Sequence, residues 1–163
     1  APDGRRVVYS ALGALYIRDL QDGATPRRLT RQAEHFEFAP HWARDGKSIV
    51  YATWRDDTQG SVRRLDLASG KETVLTKEPG KYLEPRLSPD GRRVVYRKVK
   101  GGGLTSPWHG LDTGLYLAAA DGSGKAERIA VMAEVTRARQ RRRSAAPCAR
   151  VVLHLFREDF CPG

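Results

Sequence analysis

Short runs of β-branched and aromatic residues alternate with polar turns along residues 1–130 of this chain. Such residues favour strands, where their side chains pack on a pleated, half-buried surface. The Asp-Gly pairs between the runs supply the positive φ that tight hairpin turns need. The second stretch of the pattern is complete. It predicts four antiparallel strands joined by hairpins, at 36–42, 48–53, 62–67 and 72–76.

One sequence motif, an Asp-Gly turn followed by a predicted buried strand that contains a tyrosine, occurs three times. In each copy the tyrosine follows the glycine by five residues. A repeat of roughly 40–45 residues built from short strands is typical of β-propeller blades, each of which is a four-stranded sheet. The three copies are Asp3-Gly4 with Tyr9, Asp45-Gly46 with Tyr51, and Asp90-Gly91 with Tyr96.

The repeat predicts an all-β fold: a partial β-propeller of about three four-stranded antiparallel blades, with an irregular or helical C-terminal tail. A propeller ring closes with about four to eight blades, so we expect this chain to be a segment of a larger propeller. The expected division is blade one at 1–34 without its innermost strand, blade two at 35–78, blade three at 79–130, and the tail at 131–163.

The repeat resembles the TolB-like propeller repeat, a relative of the WD-repeat. Blades of this kind occur in periplasmic TolB proteins, in the propeller caps of prolyl-oligopeptidase-like enzymes, and in exported amidohydrolases. The third-blade insertion at 106–108, Ser-Pro-Trp, is most similar to the amidohydrolase group. The residues that carry the resemblance are 88–96, 15–17, 22–23 and 28–30.

The resemblance implies a periplasmic or otherwise exported protein. On this basis we expect a non-catalytic propeller segment, serving as an interaction or substrate-gating scaffold of an exported amidohydrolase-like hydrolase. Its partner would be another protein or the hydrolase domain of the same parent chain. The alternative is a TolB-type periplasmic protein-binding propeller with no enzymatic activity. A metal-dependent amidohydrolase would hold its metal in a separate domain, so the resemblance assigns no catalytic residue to this chain.

The loops predicted at one face of the propeller carry the candidate functional residues. Successive strands are antiparallel, so the loops between second and third strands share a face with the connections between blades. Loops held on a rigid scaffold are common places for binding residues. The alternative is a solvated rim whose aromatic side chains are exposed singly. The candidate partner-binding residues are His35, Trp54, Arg55, Asp56, Trp108 and His109.

Catalytic and metal-binding patterns are missing from the sequence. No serine stands in a Gly-x-Ser-x-Gly elbow. Cys148, His154 and Cys161 lack the close Cys-x-x-Cys pair of a typical zinc site. No apolar run approaches the roughly 18–20 residues of a membrane span. We therefore expect no catalytic residue, metal or cofactor in this segment.

The basic charge of the chain is concentrated after the repeats. The formal net charge is +10, and half of it comes from residues 124–163. The arginine run at 137–143 has no aromatic neighbours for base stacking, so we expect a solvated tail and no nucleic-acid binding. The Arg- and Ala-rich composition beyond residue 130 indicates that this part of the chain is an out-of-frame translation of a GC-rich gene. The alternative is a helix over 130–143, where apolar residues fall near helical spacing.

Overall fold

The computed structural model describes residues 1–99 and 112–131, and within these ranges every regular element is a β-strand. The predicted all-β, partial-propeller fold is confirmed, because the strands form separate antiparallel sheets that pack side by side. The strands are β1 (Arg6–Ala11), β2 (Ala14–Asp19), β3 (Arg27–Arg28), β4 (Phe36–Trp42), β5 (Ser48–Trp54), β6 (Val62–Asp66), β7 (Glu72–Val74), β8 (Lys81–Leu87), β9 (Arg93–Val99), β10 (Gly114–Ala119) and β11 (Glu127–Val131).

The sheets correspond to the three sequence repeats. One sheet has three strands in the order β1-β2-β3, and two have four strands in the orders β4-β5-β6-β7 and β8-β9-β10-β11. The repeated Asp-Gly turn precedes β1, β5 and β9, and in the part of the chain that the structure describes no strand of the first sheet corresponds to β4 and β8. We call the sheets blades one, two and three, and we propose the sequence-derived blade boundaries for the chain.

The repeated Asp-Gly turns have the same geometry in all three blades. Gly4, Gly46 and Gly91 adopt φ values of 67°, 66° and 68°, in the left-handed region that glycine tolerates best. Each glycine N–H donates to the carbonyl oxygen three residues earlier, at 2.9–3.0 Å. The preceding aspartate accepts a hydrogen bond from the backbone N–H two residues further on. The strand that follows the turn, which is β1, β5 or β9, therefore begins with the same geometry in each blade.

The core lies between the blades. Tyr51 packs with Leu15 and Leu65 at the interface of blades one and two. Its neighbour Val50 packs with Val94 at the interface of blades two and three. Adjacent residues of a strand point to opposite faces of the sheet, so β5 contributes to both interfaces. Because blade two is covered on both sides, β5 is buried along almost its whole length.

The two inner strands contain the same irregularity. Ala39 and Glu84, each directly before a proline, have φ values of 51° and 50°. At this point the pairing of β4 with β5, and of β8 with β9, shifts by one residue. The proline of each bulge, Pro40 or Pro85, has no N–H to donate, which suits an interrupted ladder.

Several strand ends differ from the sequence-based expectation by one or two residues. The strand expected at 72–76 ends at Val74, and the hydroxyl of Thr76 accepts the Val62 N–H at 3.1 Å. At this end of the β6–β7 ladder, the Thr76 hydroxyl therefore replaces a backbone carbonyl as the hydrogen-bond acceptor. The last strand of blade three continues to Val131, so the first two residues of the alternative helix over 130–143 are extended. The rest of that helix and of the 131–163 tail lies outside the described residues.

Candidate functional site

A groove of about 500 Å³ lies between blades one and two, where the β1–β2 hairpin meets the loop after β5. We call it the interblade groove. Its volume is within the roughly 300–1,000 Å³ range of ligand-binding clefts. Apolar, aromatic and charged side chains share its lining, among them Leu12, Tyr16, Phe36, Trp54, Arg55 and Asp56.

Leu12 is the most exposed large apolar residue of the groove. It forms a two-residue turn with Gly13 between the paired residues Ala11 and Ala14. The turn has φ values of 50° and 77°, as a type I′ hairpin requires. Leucine is disfavoured at positive φ, yet this side chain is 97% exposed and gains no packing in return. Backbone strain of this kind is a reason to look for function at the position.

We expect Leu12→Asn to raise the free energy of unfolding by about 1 kcal/mol, because asparagine tolerates the left-handed conformation. Urea denaturation followed by tryptophan fluorescence measures the change. Leu20→Asn is the matched control, since Leu20 is also exposed, at 59%, and does not have positive φ. An equal gain in both variants would show that lost surface hydrophobicity, and not relief of strain, is the cause.

Phe36 and Trp54 form an aromatic pair across β4 and β5 in the groove. The two residues are directly opposite each other in the strand register. Phe36 is 60% exposed, and its ring covers Gly13 so closely that a Cβ there would lie 2.4 Å from the Phe36 ring. The Trp54 ring has the Lys81 ammonium 5.8 Å from its centroid. Glycine at 13 is therefore needed both for the turn and for the position of Phe36.

Three charged side chains of the groove, Arg55, Asp56 and Asp57, are engaged by their neighbours. Arg55 Nε lies 2.6 Å from Asp57 Oδ1 in an exposed ion pair. The Trp54 indole N–H donates to Asp56 Oδ1 at 2.7 Å. These contacts orient Trp54 and Arg55 and leave the groove without a strong excess of one charge. Its exposed apolar surface is then the main source of binding energy for an occupant.

His35 connects the interblade groove to a second cleft of about 340 Å³. Burial, together with the positive charge of Arg63, lowers the pKa of His35 below its usual value. Its Nε2 is buried and has no hydrogen-bond partner among the described residues. A neutral imidazole is therefore expected at neutral pH. Most residues that line the second cleft are of polar type, and they include Arg63, which forms an ion pair with Glu72 at 3.1 Å.

Glu37 holds blade two against blade one beneath the groove. It lies on β4 and is only 1% exposed. Its Oε2 accepts the backbone N–H of Leu15 at 3.0 Å, and it also accepts the Thr30 hydroxyl. Both donors belong to blade one. A buried carboxylate with two such bonds fixes the relative position of the elements that form the groove.

The structure brings four of the predicted site residues together. His35, Trp54, Arg55 and Asp56 all line the interblade groove. Trp108 and His109 lie outside the described residues, so their convergence with the other four stays a prediction. Sequence reasoning missed Leu12 and Phe36. The strand pattern placed Phe36 at the start of an inner strand and gave no signal at Leu12.

Within 1–99 and 112–131, no three His, Cys, Asp or Glu side chains gather closely enough to hold a metal ion. Nor does this part of the chain contain a helix long and apolar enough to cross a membrane. The three tail residues considered above, Cys148, His154 and Cys161, lie outside the described residues.

These features define the class: a β-propeller segment with a loop-built groove between two of its blades. The blades are TolB-like, as the following likenesses show. The chain is 36% identical over 93 residues to the Tol-Pal system protein TolB of Francisella tularensis subsp. tularensis (strain WY96-3418), covering 57% of this chain and 21% of that protein. It is 36% identical over 81 residues to the Tol-Pal system protein TolB of Rickettsia rickettsii (strain Sheila Smith), covering 50% of this chain and 18% of that protein.

Solved structures agree on the fold. TolB from Acinetobacter baumannii matches with a TM-score of 0.60 at 23% identity, over 78% of this chain and 30% of that one. A putative TolB from Agrobacterium tumefaciens matches with a TM-score of 0.63 at 25% identity, over 78% of this chain and 46% of that one. This chain spans about a fifth of the length of its curated relatives. No family model matches it.

Proposed function

We propose that this segment is a non-catalytic, protein-binding part of a TolB-type propeller, and that the interblade groove is its contact surface. The observation that carries the proposal is the exposure of Leu12 and Phe36 beside Trp54 in one groove. Exposed apolar groups rimmed by polar ones are typical of interaction sites. Aromatic side chains are also enriched among residues that dominate binding energy.

The chemistry of the groove favours an apolar side chain of a partner protein as the occupant. Asp56 and Asp57 are already engaged by Trp54 and Arg55, so a charged ligand would have to break existing contacts. An apolar group would instead cover Leu12 and the ring of Phe36. Each large apolar side chain that is fully buried contributes about 1.5–3 kcal/mol.

The curated relatives support the choice of partner class. They are named Tol-Pal system proteins, and we propose by analogy that the partner here is another protein of a Tol-Pal system. A periplasmic location is proposed on the same ground.

The test is the affinity of the purified chain for the other Tol-Pal proteins of its source, measured by isothermal titration calorimetry. We expect Phe36→Ser to weaken binding at least tenfold, or about 1.4 kcal/mol, because it removes the exposed ring. Leu20→Ser is the matched control, since it removes an exposed apolar residue away from the groove. Equal effects of both variants, or binding that neither changes, would rule out the groove as the contact surface.

The expected amidohydrolase parent is the second candidate, and it stays a prediction. The feature that suggested it, the 106–108 insertion, lies outside the described residues. The coding sequence after residue 130 would distinguish a hydrolase parent from a protein-binding propeller. A following barrel domain with metal-binding histidines would favour the hydrolase, and further blades alone would favour the binding propeller.

A further inference from the structure

Five Asp-Gly pairs occur in this sequence, and one of them has a different environment from the other four. This pair, Asp22 and Gly23, lies in the exposed turn between β2 and β3. We propose that Asp22 is a modification site, at which the backbone rearranges to isoaspartate through a cyclic succinimide. The other four pairs are protected by hydrogen bonds within their own turns. The proposal concerns a turn outside the interblade groove and goes beyond the proposed function.

The rearrangement needs no reagent except water. The Gly23 backbone nitrogen attacks Cγ of the protonated Asp22 side chain and forms an N–C bond. The nitrogen gives up its proton and the carboxyl group its hydroxyl, so a water molecule leaves and the succinimide ring remains. Water then opens the ring at either carbonyl carbon. Attack at Cγ restores aspartate, whereas attack at the backbone carbon gives isoaspartate, whose main chain runs through Cβ and Cγ. Glycine favours ring closure because it has no side chain to block its nitrogen.

Four of the pairs hold both reacting groups in hydrogen bonds. The glycine N–H donates to the carbonyl oxygen three residues earlier, at 2.9–3.4 Å. The aspartate Oδ1 accepts the backbone N–H two residues further on, at 2.8–3.0 Å. These bonds would have to break before the glycine nitrogen could reach Cγ. The four protected pairs are Asp3-Gly4, Asp45-Gly46, Asp90-Gly91 and Asp121-Gly122.

The Asp22 turn is built differently. Its closing hydrogen bond runs from the Ala24 N–H to the Gln21 carbonyl at 3.3 Å, so the Asp-Gly pair occupies the two central positions of the turn. Among the described residues, no group donates a hydrogen bond to the Asp22 carboxylate, and none accepts one from the Gly23 N–H. A Cβ added at Gly23 would have no atom within 4 Å. The two reacting groups can therefore approach each other without breaking a hydrogen bond.

The contrast between the turns is local. Each protecting bond joins residues only two or three positions apart in the chain, so it does not depend on the blade that lies beside the turn. The same applies to the closing bond of the Asp22 turn.

The charge state of the protected aspartates acts in the same direction. Rearrangement starts from the protonated carboxyl, because a carboxylate has no hydroxyl to lose. The backbone N–H of Arg5 lowers the pKa of Asp3, and the hydroxyl of Ser88 lowers the pKa of Asp90. These carboxyl groups are protonated even more rarely at neutral pH than an ordinary aspartate.

Isoaspartate at position 22 would loosen the outer strand of blade one. It adds a carbon atom to the main chain in the turn that leads to β3, which has only two residues, both paired with β2. Just beyond β3, the Leu29 N–H donates to the Leu15 carbonyl at 2.8 Å. In the modified chain we expect amide hydrogen exchange at Leu29 to be faster by about tenfold or more.

The test is to incubate the purified full chain near neutral pH at physiological temperature and to map isoaspartate over time. Peptides from an acidic digest are analysed by electron-transfer mass spectrometry, which distinguishes isoaspartate from aspartate by its backbone fragments. We expect isoaspartate to accumulate at Asp22 about tenfold faster, or more, than at any other Asp-Gly pair, because the other turns must first lose two hydrogen bonds.

Incubation in guanidinium chloride is the control for local sequence. All five aspartates precede glycine, so their rates should become similar once the turns are unfolded. Asp22→Glu is the matched variant, since it keeps the charge and cannot close the same ring. It should remove most of the isoaspartate formed in the folded chain, whereas Asp45→Glu should remove little. Equal rates at the five pairs of the folded chain, a faster pair elsewhere, or a preference for Asp22 that persists in guanidinium chloride would each overturn the proposal.

Discussion

Glu37→Leu is expected to lower the free energy of unfolding by about 2–4 kcal/mol. The substitution removes the acceptor for the Leu15 N–H and for the Thr30 hydroxyl, both of which come from blade one. Thr30 is itself buried, at 3% exposure, so solvent does not easily replace the lost bond. Urea denaturation followed by tryptophan fluorescence measures the loss.

Glu37→Gln separates hydrogen bonding from charge in the same position. Its side-chain oxygen can still accept both bonds, although an uncharged acceptor forms weaker ones. We expect it to retain stability to within about 1 kcal/mol, since removal of a buried charge offsets the weaker bonds. If the leucine variant were as stable as the unchanged chain, the carboxylate would not be what joins the two blades.

Tyr51→Ala is the second change with a large expected effect, about 3–5 kcal/mol of lost stability. The ring is completely buried and packs with Leu15 and Leu65 between blades one and two. Removing it leaves a cavity at the centre of that interface. Because β5 is held from both sides, the surrounding strands cannot easily move in to fill it.

Tyr51→Phe is the control for the tyrosine hydroxyl. Burial raises the pKa of Tyr51 far above its usual value, so the hydroxyl is neutral at every ordinary pH. The phenylalanine variant keeps the ring, and we expect it to lose less than about 1 kcal/mol. A loss as large as that of the alanine variant would assign the stability to the hydroxyl and not to packing of the ring. The same urea titration measures both variants.

The strands could be predicted because their cause is local. Each Asp-Gly turn is followed at once by a β-branched or aromatic run, and the three turns have nearly the same backbone geometry. The register of β5, for example, follows from the turn at Gly46.

The groove could be predicted only in part. His35, Trp54, Arg55 and Asp56 follow from the alternation of loops between two faces of the propeller. Leu12 was missed because leucine is not a usual residue for a type I′ turn. Glu37 was missed as a structural residue because glutamate is rarely buried without a partner, and its partners lie 7 and 22 residues away.

The sequence by itself determined the repeat, the strands and the hairpin turns, because propensity and turn chemistry act over a few residues. Tertiary structure alone decided which interface each residue of β5 enters, and that Glu37 bonds to the neighbouring blade. It also decided that Leu12, Phe36 and Trp54 meet in one groove. These outcomes depend on how two sheets lie against each other, which no local pattern encodes. The Asp-Gly turn recurs alike in every blade, whereas the groove occurs where two particular blades meet.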